Sequence, residues 1–239
     1  MSVTSMRPLA AVRAIRRVFA DPDATEHVFE VIDALQGPNL KRMRARLLRS
    51  NSGRRLLETK PNLLPLLNDR EALRALPDGS LGRAYLAFVE SEGISADGLV
   101  AASEGARKSG TDEEFLWIKD WLRDTHDLWH TVLGYKGDLV GEAALLAFSH
   151  YETGNLGVGA IAALAWLKLG RVTDPRLGAR ATVRDGRRLA KKAGWFLEVP
   201  WHEWLGRPLE EVRHDLGVAG PVQYRPVRSS EVDVSLLRA

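Results

Sequence analysis

A chain of 239 residues without cysteine has neither a disulfide framework nor a thiolate metal site, so any transition metal must be held by imidazole and carboxylate. That suits a reducing cytoplasm. The length allows one domain with a sizeable core, and 34 Lys and Arg against 31 Asp and Glu leave a net charge of only +3, so charge informs only where it is local.

From Met6 to Phe19 the chain is basic through Arg7, Arg13, Arg16 and Arg17, with Leu9, Val12, Ile15, Val18 and Phe19 at helical spacing. This predicts a folded amphipathic helix rather than a transit peptide, and no secretory apolar region is visible. Asp21-Pro22 reads as cap and first turn of a second helix through Val28, Phe29, Val31, Ile32 and Leu35. Residues 40–60 carry Lys41, Arg42, Arg44, Arg46, Arg49, Arg54, Arg55 and Lys60 against Glu58 alone. The expectation is a solvated helix face followed by a loop at Asn51-Ser52-Gly53, with phosphate or head-group contact as the functional alternative. Short helical pieces follow, punctuated by Pro61 and Pro65. Pro77-Asp78-Gly79-Ser80 is a turn leading into a helix through Leu81, Tyr85, Phe88 and Val89. Residues 91–110 read as a polar connector with a short helix, and Thr111-Asp112-Glu113-Glu114 as a capping box.

The stretch from Phe115 to Leu133 repeats apolar residues at three- and four-residue spacing, which predicts one largely buried helix. On it His126 and His130 lie one turn apart, about 40° round from each other, and Asp127 lies about 60° further. Gly134 and Gly137 break this helix, Asp138 is a cap, and Glu142 opens a second apolar helix that ends at Gly154-Asn155. The turn brings Glu142 back towards the histidines. Two imidazoles and two carboxylates balance a divalent cation, whereas an unpaired buried carboxylate is costly. A His pair at this spacing alone is more often surface or satisfied core. The zincin motif would need Glu where Asp127 stands. A His-Asp phosphohydrolase would need partners such as His27 and Asp185, which nothing singles out. His150 is expected to be a satisfied histidine rather than a further ligand.

Leu156 to Leu167 is twelve residues without a charge, too short for a bilayer, which takes about 20. Gly157, Gly159 and Ala162 imitate a dinucleotide fingerprint but no strand precedes them. Core packing and a groove wall for an apolar ligand are the two readings. Farther on, Arg180, Arg184, Arg187, Arg188 and Lys191 fall within about 100° of a helical wheel, opposite Val183, Gly186, Leu189, Ala190 and Ala193, with Trp195, Phe196, Trp201 and Trp204 next. Basic residues beside interfacial aromatics suit an anionic membrane surface; the alternative is a solvated helix followed by a packed segment. Nucleic acid is not indicated, because no base-stacking motif accompanies the charge. The segment after Pro221 is polar and expected to be frayed. The fold expected is all-α: one domain over residues 1–239, about eight or more helices, frayed over roughly the first 6 and last 18 residues.

The pattern His-Asp-x-x-His-x11-Glu, as His126, Asp127, His130 and Glu142, resembles the metal motif of the coenzyme Q biosynthesis protein family numbered four. The likeness extends to Asp21-Pro22 with the helix to Leu35, to Pro77-Asp78-Gly79-Ser80-Leu81-Gly82 leading into Tyr85 and Phe88, to Gly141-Glu142-Ala143-Ala144, and to Trp201–Gly217 with Leu209-Glu210-Glu211-Val212-Arg213. The resemblance implies a role in ubiquinone biosynthesis: metal-dependent loss of the C1 carboxyl group, alone or coupled to hydroxylation there, from a polyprenylated 4-hydroxybenzoate-type ring. On that basis His126, Asp127, His130 and Glu142 are metal ligands and catalytic residues, with Asp127 either a ligand or a proton carrier and Asp124 or Glu152 orienting an imidazole. Zn is the metal expected, with Co, Mn or Fe(II) also suited to the set. The partners implied are the prenylated lipid, an anionic membrane surface, other coenzyme Q biosynthesis enzymes and a second copy in a homodimer. The location implied is the inner face of the cell membrane, or the mitochondrial inner membrane in a eukaryote, with Leu156–Leu167 as a wall for the polyprenyl chain. The competing role is a non-catalytic lipid-binding scaffold for the biosynthetic complex, with a structural metal.

Overall fold

The apolar periodicity of the sequence is realised as helix after helix. The structure, a computed structural model, describes residues 6–21, 25–103 and 112–232, and no strand occurs among them. In chain order these are α1 (Pro8–Ala20), α2 (Thr25–Ala34), α3 (Asn39–Leu47), α4 (Asn51–Thr59), α5 (Leu64–Asn68), α6 (Arg70–Ala75), α7 (Leu81–Glu92), α8 (Ala96–Ser103), α9 (Glu113–Asp124), α10 (His126–Leu133), α11 (Leu139–Thr153), α12 (Leu156–Val172), α13 (Ala179–Ala190), α14 (Trp201–Trp204) and α15 (Leu209–Asp215). Extended pairing is limited to one antiparallel bridge between Ser80 and Pro208. It ties the start of α7, where Ser80 caps Arg83 N, to the start of α15.

α11 is the axis of the packing because it offers apolar residues to both of its sides. Ala144, Leu145 and Phe148 join the main core with Trp121, Trp129, Phe196 and Trp201, and the rings of Trp129, Phe148, Phe196 and Trp201 meet edge to face at 4.9–6.0 Å. Val140, Ala143 and Ala147 face α12 and α13 in a second cluster. A third unites Ala14 and Val18 of α1 with Val31 and Ile161. Small residues allow the closest approach: a Cβ added at Gly186 would lie 2.2 Å from the Ala144 carbonyl oxygen, so α13 rests directly on the α11 backbone.

Several expectations are corrected. Asn51-Ser52-Gly53 is not a loop but the first turn of α4, because the Ser50 side chain accepts Gly53 N–H at 3.0 Å. The long helix expected from Phe115 to Leu133 is two, α9 and α10, meeting at Thr125. Its hydroxyl donates to the Trp121 carbonyl at 2.8 Å and competes with the helical ladder. From Val222 to Val227 the chain is held rather than frayed: Val222 N–H donates to Leu133 O, Leu139 N–H to Val227 O, and Val227 N–H to Asp138 Oδ1, at 2.8–2.9 Å. Trp195, Phe196 and Trp201 are buried, so they are not interfacial aromatics and the α13 arginines face solvent without them. Half of the basic run from 40 to 60 is engaged by acids or a ring of the protein: Arg44 with Glu114, Arg55 with Glu203, Lys60 with Glu113, and Arg46 over the Trp195 ring. Pro22 and Thr111, from the expected cap and capping box, lie outside the described residues, although Asp112 does cap Glu114 N. No described helix is long and apolar enough to cross a membrane.

Gly186→Ala is expected to lower stability by about 1–3 kcal/mol despite the better helix propensity of Ala, because backbone must move to admit the methyl group. Thermal unfolding followed by circular dichroism should show a midpoint lower by several degrees.

Candidate metal centre

α10 begins at His126, so His126 and His130 stand one turn apart and their Nε2 atoms lie 3.2 Å from each other. Gly134, at φ 81°, closes the helix; a side chain there would be strained and would meet Pro221 at 2.6 Å. After four more residues Asp138 opens α11, its carboxylate accepting Val140 and Gly141 N–H. One turn on, Glu142 returns to the pair, with Oε1 3.2 Å from His130 Nε2 and Oε2 3.6 Å from His126 Nε2. One ligand atom from each of the three residues falls within 4.8 Å of the others, the group among the described residues that could hold a metal ion.

The orientation of His130 is fixed from three sides. Its ring is 1% exposed and stacks on Phe88 at 5.2 Å, and Nδ1 lies 3.1 Å from the Tyr135 carbonyl oxygen. A carbonyl can only accept, so Nδ1 carries the proton and the Nε2 lone pair points at the cluster. Two imidazole lone pairs and a carboxylate facing one another at this range require a proton or cation between them. A divalent ion fits that donor set: two neutral nitrogens and one hard anionic oxygen, with room for further ligands.

Two of the three ligand candidates, His126 and Glu142, meet a cavity of about 650 Å³, while His130 stands behind them. His126, Asp127 and Glu142 line it, and the 26% and 44% exposure of the His126 and Glu142 side chains is towards this space. Burial alone would push His126 down, but the Glu142 carboxylate outweighs it and the imidazole titrates above its ordinary value. Burial likewise raises Glu142, yet His130 and His126 carry it well below the carboxylate range. Asp127 is 4% exposed, and burial raises it more than the two histidines lower it. Asp127 lines the cavity but stands outside the three-donor cluster. The remaining wall is apolar, with Val18, Phe29 and Ile32 from the N-terminal helices and Leu146, Val158 and Ile161 from α11 and α12.

Other predicted residues are placed elsewhere. Asp124 pairs with Arg123 at 2.7 Å, and Glu152 accepts Phe196 N–H at 2.8 Å, so neither orients an imidazole as expected; the Tyr135 carbonyl does so for His130. His150 Nδ1 bonds Asn155 O at 2.8 Å and is satisfied, as expected. His27 lies by Glu30 and Asp185 by Arg188, away from the cluster. Sequence reasoning assigned no role to Arg213. Its buried guanidinium donates to Val132 O at 2.8 Å and Thr131 O at 3.1 Å, capping the C-terminal carbonyls of the helix that carries both histidines. An arginine inside a charged helix carries no sign of such a task.

Comparison with known proteins follows the same residues. The sequence model of the family described as coenzyme Q (ubiquinone) biosynthesis protein Coq4 matches residues 2–221. Curated relatives described as mitochondrial ubiquinone biosynthesis protein coq4 include those of Sclerotinia sclerotiorum, 30% identical over 192 residues, 80% of this chain and 65% of the relative, and Pyrenophora tritici-repentis, 29% identical over 218 residues, 89% and 72%. The chain thus spans about two thirds of the length of these relatives, and slightly less for the first. A crystal structure of a candidate ubiquinone biosynthesis protein from Nostoc punctiforme superposes with a TM-score of 0.68, covering 90% of this chain and 100% of that one at 19% identity, which establishes the shared fold.

The pH dependence follows from the two resolved ligand shifts. Glu142 lies below its ordinary 4.5, so its pairing stabilises the fold above that value and is lost on acidification. His126 lies above its ordinary 6.5, so its share is complete below 6.5 and is lost as pH rises through the raised value. For protein stripped with EDTA, the midpoint difference between parent and Glu142→Gln should therefore be largest between pH 4.5 and 6.5. Adding Zn²⁺ should move that maximum upward, because ligation needs neutral imidazoles; thermal unfolding across pH 4 to 8.5, on the order of ten points, reads both.

Proposed function

The chain belongs to the coenzyme Q (ubiquinone) biosynthesis protein Coq4 family, and from that premise we propose that it acts in ubiquinone biosynthesis as a metal-dependent decarboxylase of a polyprenylated 4-hydroxybenzoate-type ring. The observation that carries this proposal is the three-donor cluster of His126, His130 and Glu142 at the wall of a largely apolar cavity. A polar reaction centre beside a greasy space suits a substrate with a charged ring and a hydrocarbon tail.

His126, His130 and Glu142 would hold the ion, and three protein ligands with an open position is the pattern of a catalytic rather than a closed structural site. When bound, the cation supplies positive charge against the ring carboxylate or phenolate oxygen. Zn²⁺ fits the set, and so does Fe(II), which commonly takes two histidines and one carboxylate. Asp127 is the candidate proton carrier, since burial keeps its proton to higher pH than an ordinary aspartate. Delivery of that proton to C1, cleavage of the bond from C1 to the carboxylate and return of its electron pair to the ring release carbon dioxide and restore aromaticity. The apolar wall that α12 contributes through Val158, Ile161 and Ala165 would take the first units of the tail and exclude water from the ring. For attachment to an anionic membrane, α1 is a better candidate than α13: Met6, Leu9 and Val12 are exposed large apolar residues beside exposed Arg13 and Arg16.

His130→Ala and Glu142→Ala are expected to keep their helical circular dichroism, to purify with little metal, and to lose carbon dioxide release from a prenylated substrate by at least about 100-fold. Folded, metal-free variants that release carbon dioxide like the parent would end the enzyme proposal and leave the lipid-binding scaffold. Asp127→Asn should retain metal while its turnover falls on the order of 10²-fold or more. Equal loss of metal and turnover in that variant would make Asp127 a ligand instead.

A further inference from the structure

The family match ends at residue 221, yet the next eight residues make more contacts with the loop between the ligand helices than their polar composition foretells. We propose that the segment Val222–Ser229 is a strap that positions the three donor atoms, with Tyr224 as its principal positioning residue; the inference rests on the metal-site proposal.

The loop Gly134–Asp138 controls both halves of the cluster. Its Tyr135 carbonyl orients His130, and its Asp138 caps the helix that presents Glu142. The strap grips both ends of it. At the first end Pro221 lies against Gly134, and Val222 N–H donates to the carbonyl of Leu133 at 2.9 Å. In the middle the Tyr224 ring meets the Tyr135 ring edge-on at 5.9 Å, while its hydroxyl accepts Lys136 N–H at 2.8 Å and donates to Asp138 Oδ2. At the second end Val227 N–H donates to Asp138 Oδ1 at 2.8 Å, and Val227 O accepts Leu139 N–H at 2.9 Å.

Asp138 therefore accepts from Val140, Gly141, Val227 and Tyr224 together. It is 3% exposed, so each of these bonds is shielded from water. The fit is close as well as polar: a Cβ added at Gly141, the residue before Glu142, would stand 2.5 Å from the Tyr224 hydroxyl. Beyond Val227, Arg228 pairs with the buried Glu92 carboxylate at 2.9 Å, fastening the strap to the end of α7, the helix whose Phe88 stacks on His130. Arg228 and Ser229 line the same cavity as His126 and Glu142. The strap is thus continuous with the cavity wall.

Groups that orient metal ligands typically change affinity by about 10- to 100-fold when removed. Co²⁺ is the probe, titrated into EDTA-treated protein of all 239 residues and followed by its visible absorption. Tyr224→Phe, and separately a chain ending at Pro221, should bind Co²⁺ at least about tenfold more weakly, with an altered visible spectrum and with helical circular dichroism retained. Arg225→Ala, exposed on the same segment, should titrate like the parent. Exchange of the Lys136 and Leu139 amides with deuterium should accelerate in the truncated chain even without metal. Co²⁺ affinity and spectrum of Tyr224→Phe and of the truncated chain equal to the parent's would overturn the inference alone. A parent that takes up no Co²⁺ would overturn the metal site beneath it.

Discussion

The structure depends on the meeting of two imidazole nitrogens 3.2 Å apart with a carboxylate at the same range. Lone pairs do not gather in a weakly polar interior without something positive between them. The surroundings repeatedly oppose their separation. Thr125 ends α9 so that α10 can begin at His126; Phe88 and the Tyr135 carbonyl hold one ring; Arg213 secures the far end of α10; Asp138 starts α11 at the register that returns Glu142. Each is an ordinary helix-end or packing device. Their convergence on one point is what a chance pair of histidines lacks.

The cavity gives that point its chemistry. Charged and apolar groups share one wall because α11 places Glu142 and Leu146 one turn apart on the same face, with Ser149 and Thr153 continuing the line. α12 can come close to α2 at Gly157, which lies against Val31 and Ile32, and to α11 at Gly159, which lies against the His150 ring. The small-residue run that imitates a dinucleotide fingerprint is therefore a packing surface and, through Val158 and Ile161, a wall. His130, 1% exposed, is the donor most shielded from water, so charge brought beside it is felt more strongly than it would be at the surface.

Much of this was legible in the sequence because it is written in local rules. Periodicity gave the helices; Ser80, Asp112, Asp138 and Asn155 cap theirs, and Gly134 and Gly154 end theirs in the left-handed region. The His126, His130 and Glu142 constellation needs only a helix, a turn and a helix. What escaped is non-local or carried by backbone. Nothing in residue type marks the Tyr135 carbonyl as the partner of His130, or tells Trp195 and Trp201 inside a core from the same rings at an interface. Thr125 fits helical spacing, and nothing in its type marks it as the point where α9 ends and α10 begins. The strap escapes because a polar segment with Gly220, Pro221 and Pro226 resembles a loose tail until its partners, mostly main-chain groups 86 to 89 residues earlier, are seen.

Buried acids show why position rather than perturbation marks function. Asp124, Asp127 and Glu152 are all raised by burial, Asp124 to about 6 and Glu152 to about 8. Glu152, the most perturbed of those with a value, accepts Phe196 N–H while its own carbonyl takes the Trp195 indole, which pins the aromatic segment to α11 and gives the carboxyl a structural task. Asp124 is neutralised by Arg123. Asp127 has no such side-chain partner to its carboxyl, lies on the cavity wall, and is sensitive to the charge of His126, His130 and Glu142. On the proposal that the cluster holds an ion, a carboxyl in that position would couple proton transfer to the state of the cluster. The other two acids can share the shift without sharing that position.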